Sequence, residues 1–157
     1  MQLNAIDQAV MQLLWIGGGP ELQAWREALR PQVELAESEA ALDGRPYAIA
    51  GSGPGALTGL ELAAWLTTQR RDRRRRPPAH LIVAGCPPLP VDAPVTGCPV
   101  TAFAVAADDL AVSRACSWSK ATSSAFGLRL LPHPEAWQNP GAMTLLNLKE
   151  ELKVWPA

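Results

Sequence analysis

The sequence predicts an α/β fold, an open and mostly parallel sheet of about five or six strands flanked by helices. Three observations predict it. Short apolar runs of strand length recur at Met11–Ile16, residues 47–50, Leu81–Ala84, residues 99–106 and residues 128–131. Segments with apolar residues at helical spacing alternate with them, the pattern of a parallel sheet built through helical connections. Glycine-rich turns follow two of the runs, at Gly17-Gly18-Gly19 and at Gly51, Gly53 and Gly55.

Composition sets the outer limits. The 157 residues suit one domain spanning 1–157, and 48% apolar residues can fill an ordinary core. A net charge of -1 gives no global attraction to nucleic acid or to membranes. No apolar run approaches the roughly 20 residues of a membrane span. The first ten residues lack the basic start and apolar run of a signal peptide, so a cytoplasmic protein is expected. Cys86, Cys98 and Cys116 read as free thiols, and their spacing matches no zinc pattern. No metal or cofactor is expected.

The elements follow in order. Residues 1–11 are ambiguous, since Ile6, Val10, Leu13 and Leu14 also fit a short helix leading into a strand. Met11–Ile16 reads as the first strand. The three glycines after it let the backbone turn tightly or let amides approach a ligand. Residues 20–29 form a short helix, with Leu22, Trp25, Ala28 and Leu29 on one face, and Pro31 stops it. Val33 and Leu35 suggest a brief strand. A parallel crossover usually needs a dozen or more residues. Either that strand is therefore not parallel to its neighbours, or residues 36–46 cross over as loop. The run at 47–50 leads through glycines into a helix over 56–69. There Leu57, Leu60, Ala64 and Leu66 should face the sheet, and Gly59 permits close packing.

Arg70, Arg71, Arg73, Arg74, Arg75 and Arg76 come next, closed by Pro77-Pro78. The cluster reads as a solvated helix end or as a phosphate-binding or docking patch. A nucleic-acid role is the weakest reading, because no aromatics are interleaved. Leu81–Ala84 is a buried strand, and 85–97 a proline-rich loop. The strand at 99–106 ends just before Asp108 and Asp109. A short helix within 112–125, the strand at 128–131, a loop over 132–140 holding His133 and Glu135, and a helix over 144–154 complete the chain.

The stretch from Arg45 to Trp65 carries the chemistry question. Strand, sharp glycine turn and helix in this order build a nucleophile elbow, whose apex normally holds a serine. Here Gly51-Ser52-Gly53-Pro54-Gly55-Ala56-Leu57 resembles the G-H-S-M-G-A-L turn of type II thioesterases of polyketide and nonribosomal peptide synthesis, members of the α/β-hydrolase superfamily. Further blocks resemble that family in the same order: Leu13 to Gly19, Ala24 to Leu29, Pro78 to Gly85 and Cys98 to Phe103. The resemblance implies a nucleophile position at Gly53, an acid at Asp109 with Asp108 beside it, and a base position at Glu135. It places the oxyanion loop at Gly17, Gly18, Gly19 and Pro54. The chain is similar to a truncated and degenerate member. It lacks the serine, the histidine at its usual place, one crossover helix and the helical lid, for which only the loop at 85–97 stands.

Three residues rival the missing ones. Ser52 is one residue from the apex and should leave the turn in another direction. Cys86 ends a strand on the catalytic edge, where a small thiol also serves simply as packing. His133 lies two residues before the base position, while His80 precedes its strand and belongs at the opposite end of the sheet. The leading expectation is a non-catalytic domain acting by contact as scaffold, dimerisation unit or docking site in a polyketide or nonribosomal peptide system. Its partner would be an acyl or peptidyl carrier protein, a synthase domain or a second copy, with the arginine cluster as the docking patch. One alternative is an atypical thioesterase or acyltransferase using Ser52 or Cys86 with His133. Another is a small-molecule or acyl-chain binding protein. The missing crossover helix should bare part of an apolar sheet face.

Overall fold

The computed structural model describes residues 9–17, 21–68 and 76–153. The readings of residues 1–8, of Gly18 and Gly19, of Arg70, Arg71, Arg73, Arg74 and Arg75, and of the last four residues lie outside them. The strands are β1 (Met11–Ile16), β2 (Val33–Ala36), β3 (Tyr47–Ser52), β4 (Leu81–Ala84), β5 (Val100–Val105) and β6 (Phe126–Leu131). They form one sheet in the order β2-β1-β3-β4-β5-β6, and every neighbouring pair is parallel. The helices are α1 (Glu21–Leu29), α2 (Pro54–Thr68), α3 (Asp109–Ser117) and α4 (Ala142–Leu152). No helix among the described residues is long and apolar enough to cross a membrane.

Alternation along each strand divides the core in two. Leu13 and Trp15 of β1 face the layer of α1 and α4, where Trp25, Leu29, Leu148 and Leu152 pack. Leu14 of β1 and Ile49 of β3 face the layer of α2 and α3, with Leu60, Ala63, Ala115 and Trp118. Strands buried on both faces explain why these runs are almost wholly apolar. On α2 the buried face is Ala56, Gly59, Leu60, Ala63, Ala64 and Leu66. Leu57, expected to face the sheet, is partly buried against the same layer. The helix expected within 112–125 starts earlier, at Asp109, because Asp108 caps it by accepting a hydrogen bond from the Ala111 amide at 3.1 Å.

The connection from β2 to β3 settles the choice left open by the sequence. β2 is parallel to β1, and the crossover is a loop containing one short 3-10 turn, Glu39–Ala41. The expected bare apolar face is not found there. Gln12 of β1 is fully buried beneath the loop. Its Nε2 donates to the Ala41 carbonyl at 2.9 Å, and its Oε1 accepts from the Asp43 amide at 3.0 Å. Arg45 pairs with Asp43 at 2.6 Å and with Glu34 at 2.9 Å. Between Val33 and Pro46 no large apolar side chain is exposed. Leu14, Ala36 and Tyr47 on this face are buried and Gln12 is tied to the loop, so the loop suffices as cover.

The amide of Gln12 thus fastens a segment that has little apolar anchorage. Replacing Gln12 by Ala leaves a backbone donor and acceptor unpaired, which costs about 2 kcal/mol. Urea unfolding of Gln12→Ala should show that loss, together with faster amide exchange at residues 41–43.

Candidate functional site

Two features of the backbone decide where a site can form. The chain leaves β1 toward β2 on one side and returns to β3 on the other, so the strand order reverses between β1 and β3. In open parallel sheets ligands bind at the carboxyl ends of strands near such a reversal. Gly17 at the end of β1 and the glycine turn after β3 both lie at this edge. A cavity of about 470 Å3 lies there, lined by the ends of β3, β4, β5 and β6 and by α3 and the loop after β6. That size falls within the roughly 300–1,000 Å3 of small-molecule sites.

The turn from β3 into α2 is as tight as a backbone allows. A Cβ on Gly51 would stand 2.7 Å from the Gly55 carbonyl carbon, and one on Gly55 would stand 3.1 Å from the Ile16 carbonyl oxygen. Glycine is required at position 51, and at position 55 a Cβ fits only if the Ile16 backbone gives by a few tenths of an ångström. Gly53, at the apex, has φ +55, and a Cβ built on it meets nothing within 4 Å. The space a nucleophilic side chain would enter is therefore open, and the residue has none to offer. Pro54 follows as the first residue of α2. In nucleophile elbows the residue after the apex gives its N–H to the oxyanion. Proline has no N–H, so Pro54 offers no such donor.

The other candidate residues do not assemble around the apex. Ser52 lines the cavity, but no histidine does. Cys86 lines it too, and burial pushes its thiol up to about 12, so at neutral pH it is protonated and a poor nucleophile. His133 pairs with Glu135, Nδ1 to Oε2 at 3.3 Å, with both side chains more than half exposed and neither lining the cavity. Of the two carboxylates, Asp108 lines the cavity and Asp109 does not. Gly17 has φ +86 and turns the chain at the end of β1. His80 lies at the opposite edge, as its position before β4 predicts. Its Nε2 is 2.8 Å from Thr101 Oγ1, and burial lowers its pKa. Among the described residues no group of histidine, cysteine and carboxylate side chains could hold a metal ion.

Solved thioesterases share this fold. The chain is similar to the RedJ thioesterase from the prodiginine biosynthetic pathway of Streptomyces coelicolor, with TM-score 0.70 and 20% identity over 91% of this chain and 86% of that one. It is similar to the thioesterase domain that cyclises the lipopeptide antibiotic surfactin, with TM-score 0.68 and 16% identity over 96% and 94%. Human thioesterase 2 gives TM-score 0.63 and 14% identity over 92% and 94%. No family model and no curated protein matches the chain. At these identities the likeness establishes the fold. The lid that the resemblance implies is represented only by the loop between β4 and β5, held down by Trp118 Nε1 donating to the Pro87 carbonyl at 3.0 Å. Thr96, near the end of that loop, is fully buried and exchanges backbone bonds with Ala121 and Ser123.

Sequence reasoning missed the aromatic wall of the cavity. Phe103 and Trp137 line it, with ring centroids 5.4 Å apart. Trp137 also stacks on Trp15 at 5.8 Å and meets Trp25 at 5.0 Å, and its carbonyl accepts from Trp25 Nε1 at 2.6 Å. A tryptophan set in a proline-bounded loop was the one available signal, because so large an apolar group is seldom left on a loop without burial.

The turn makes a sharp distinction between its glycines. Gly51→Ala collides with backbone that cannot move and should cost about 3 kcal/mol. Gly53→Ser meets open space and carries only the left-handed backbone penalty of about 1–2 kcal/mol. Equilibrium unfolding of the two variants should rank them in that order.

Proposed function

We propose that this chain is a thioesterase-fold domain of a polyketide or nonribosomal peptide system that acts by contact rather than by serine-based hydrolysis. Gly53 carries the reading. The apex of the elbow keeps its backbone and the open space beyond it, but no nucleophile stands there. Acyl transfer through such an elbow needs a nucleophile, a base and oxyanion donors acting together. Pro54 offers no donor, and no histidine lines the cavity. A side-chain misplacement of about 1 Å can cost roughly a hundredfold in rate, which argues against Ser52 serving from beside the apex. The natural partner is an acyl or peptidyl carrier protein, or a synthase domain. A second copy of the chain is the competing occupant of the same role. The arginines between 70 and 76 suit an acidic partner surface, where charge chiefly speeds association and makes it salt-dependent.

A second reading has its own support. The solved proteins that share the fold are thioesterases, and this likeness by itself favours an atypical thioesterase or acyltransferase over a contact domain. Ser52 and Cys86 are the nucleophiles such an enzyme would have to use. Assay of the purified protein on short acyl thioesters, beside Ser52→Ala and Cys86→Ala, separates the readings. The contact reading expects background hydrolysis in all three. Turnover well above background that disappears in one variant would establish the enzyme and identify its nucleophile.

A further inference from the structure

The two edges of the sheet are built differently. β2, at one edge, is four residues long and bordered by charge. Glu34 pairs with Arg45 at 2.9 Å, and Glu37 beyond the strand pairs with Arg26 at 2.9 Å. Short strands and charged side chains keep a sheet edge from pairing with another chain. β6, at the other edge, is six residues long, has no proline and carries Phe126, Leu128, Leu130 and Leu131. Its one charged residue, Arg129, is drawn onto α4 by Glu151 at 2.7 Å and Asn147 at 3.3 Å. Leu130 is 49% exposed.

Hydrogen bonds to β5 fix which residues of β6 are open. The amides of Val100 and Ala106 donate to the carbonyls of Ala125 and Leu131 at 3.0 and 2.9 Å. Backbone groups alternate sides along a strand, so the odd-numbered residues of β6 face β5. Phe126, Leu128 and Leu130 therefore turn N–H and C=O outward, and no partner among the described residues meets them. Phe126 and Leu128 pack, partly buried, on the α2 and α3 layer, so the side chain of Leu130 lies on that face too.

Such a row of donors and acceptors is satisfied by another strand, and β6 fits a second copy of itself. About a twofold axis at Leu128, Leu128 meets Leu128 and Phe126 meets Leu130 of the other copy. Each outward residue then donates to and accepts from its opposite, and the apolar side chains form one cross-strand row. On the α4 face Arg129 falls opposite Gly127 of the second copy. A Cβ on Gly127 would stand 3.8 Å from Glu151 Oε1, so the arginine meets a carboxylate there. An axis at Arg129 would oppose two arginines, and one at Gly127 would leave Leu130 unpaired. We propose that the protein pairs with a second copy of itself through β6, antiparallel about Leu128, joining the two sheets into one. This goes beyond the functional reading above, because Phe126, Leu128 and Leu130 line no part of the cavity.

Sedimentation velocity of the full-length protein from about 1 μM to about 100 μM should show a monomer–dimer equilibrium. Amide exchange at Phe126, Leu128 and Leu130 should slow as concentration rises. Leu128→Lys sets like charges directly opposite and should raise the dissociation constant about tenfold or more. With the exposed thiol removed by Cys116→Ser, Leu128→Cys should cross-link two copies on mild oxidation, since its opposed Cα atoms would lie about 5.5 Å apart. Leu130→Cys in the same background should not, since its two copies would lie about 14 Å apart. A monomeric mass throughout the range, a dimer equally tight in Leu128→Lys, or equal cross-linking at both positions would overturn the proposal. Protection of the three amides in the monomer would overturn it as well, because the chain would then cover the edge itself. Should Leu128→Lys fail to fold, the two cysteine variants decide it.

Discussion

The approach of Gly51 to Gly55 is the constraint on which the site and the centre of the sheet depend. Without side chains at these two positions, β3 can run straight into α2 through a single sharp turn. That turn sets α2 down across β3 and β4, where its small residues pack closely against Ile49 and Leu81. It also lifts Gly53 to the carboxyl edge of the sheet, beside the reversal of strand order between β1 and β3. The turn forms one side of the cavity, through Ser52, Gly53 and Pro54. The two glycines that make it tight belong to the fold, whereas the apex and the residue after it belong to the chemistry. In this chain the first pair is intact, and the second is occupied by Gly53 and Pro54, which lack the groups that acyl transfer uses.

The short connections of this fold are held by local contacts. Where a crossover helix would cover β1 and β2, the strands present Gln12 and Glu34, and the loop is tied to them by hydrogen bonds and the Arg45 ion pairs. Surface ion pairs of this kind are worth at most about 1 kcal/mol each, so the buried amide of Gln12 is the stronger tie. On the same layer, the loop between β4 and β5 is stitched to the segment after α3 through Trp118 and Thr96. The aromatic group of Trp15, Trp25, Phe103 and Trp137 joins β1, α1, β5 and the loop after β6 into one body. Two of its members, Phe103 and Trp137, form a wall of the cavity.

Much of this was legible in the chain. Continuous apolar runs marked β1 and β4 to the residue, because strands covered on both faces have no room for polar alternation. The elbow was legible because glycines at two-residue spacing after a strand have few other uses. The crossover from β2 was not, since periodicity says nothing about a loop held by one buried glutamine. The expected bare face failed for the same reason: the role of Gln12 depends on Ala41 and Asp43, about thirty residues away. The cavity wall was also out of reach. Trp137 carries no local signal of its contacts with Trp15 and Trp25, which only the packing of α1 against the loop after β6 creates.

The central claim is that the elbow survives as architecture without an activated nucleophile. Intact-protein mass after incubation with an alkyl fluorophosphonate tests it most directly, because this reagent loses fluoride to an activated hydroxyl and leaves a phosphonyl group on it. The account predicts an unchanged mass. A gain of one phosphonyl group that vanishes in Ser52→Ala would contradict it.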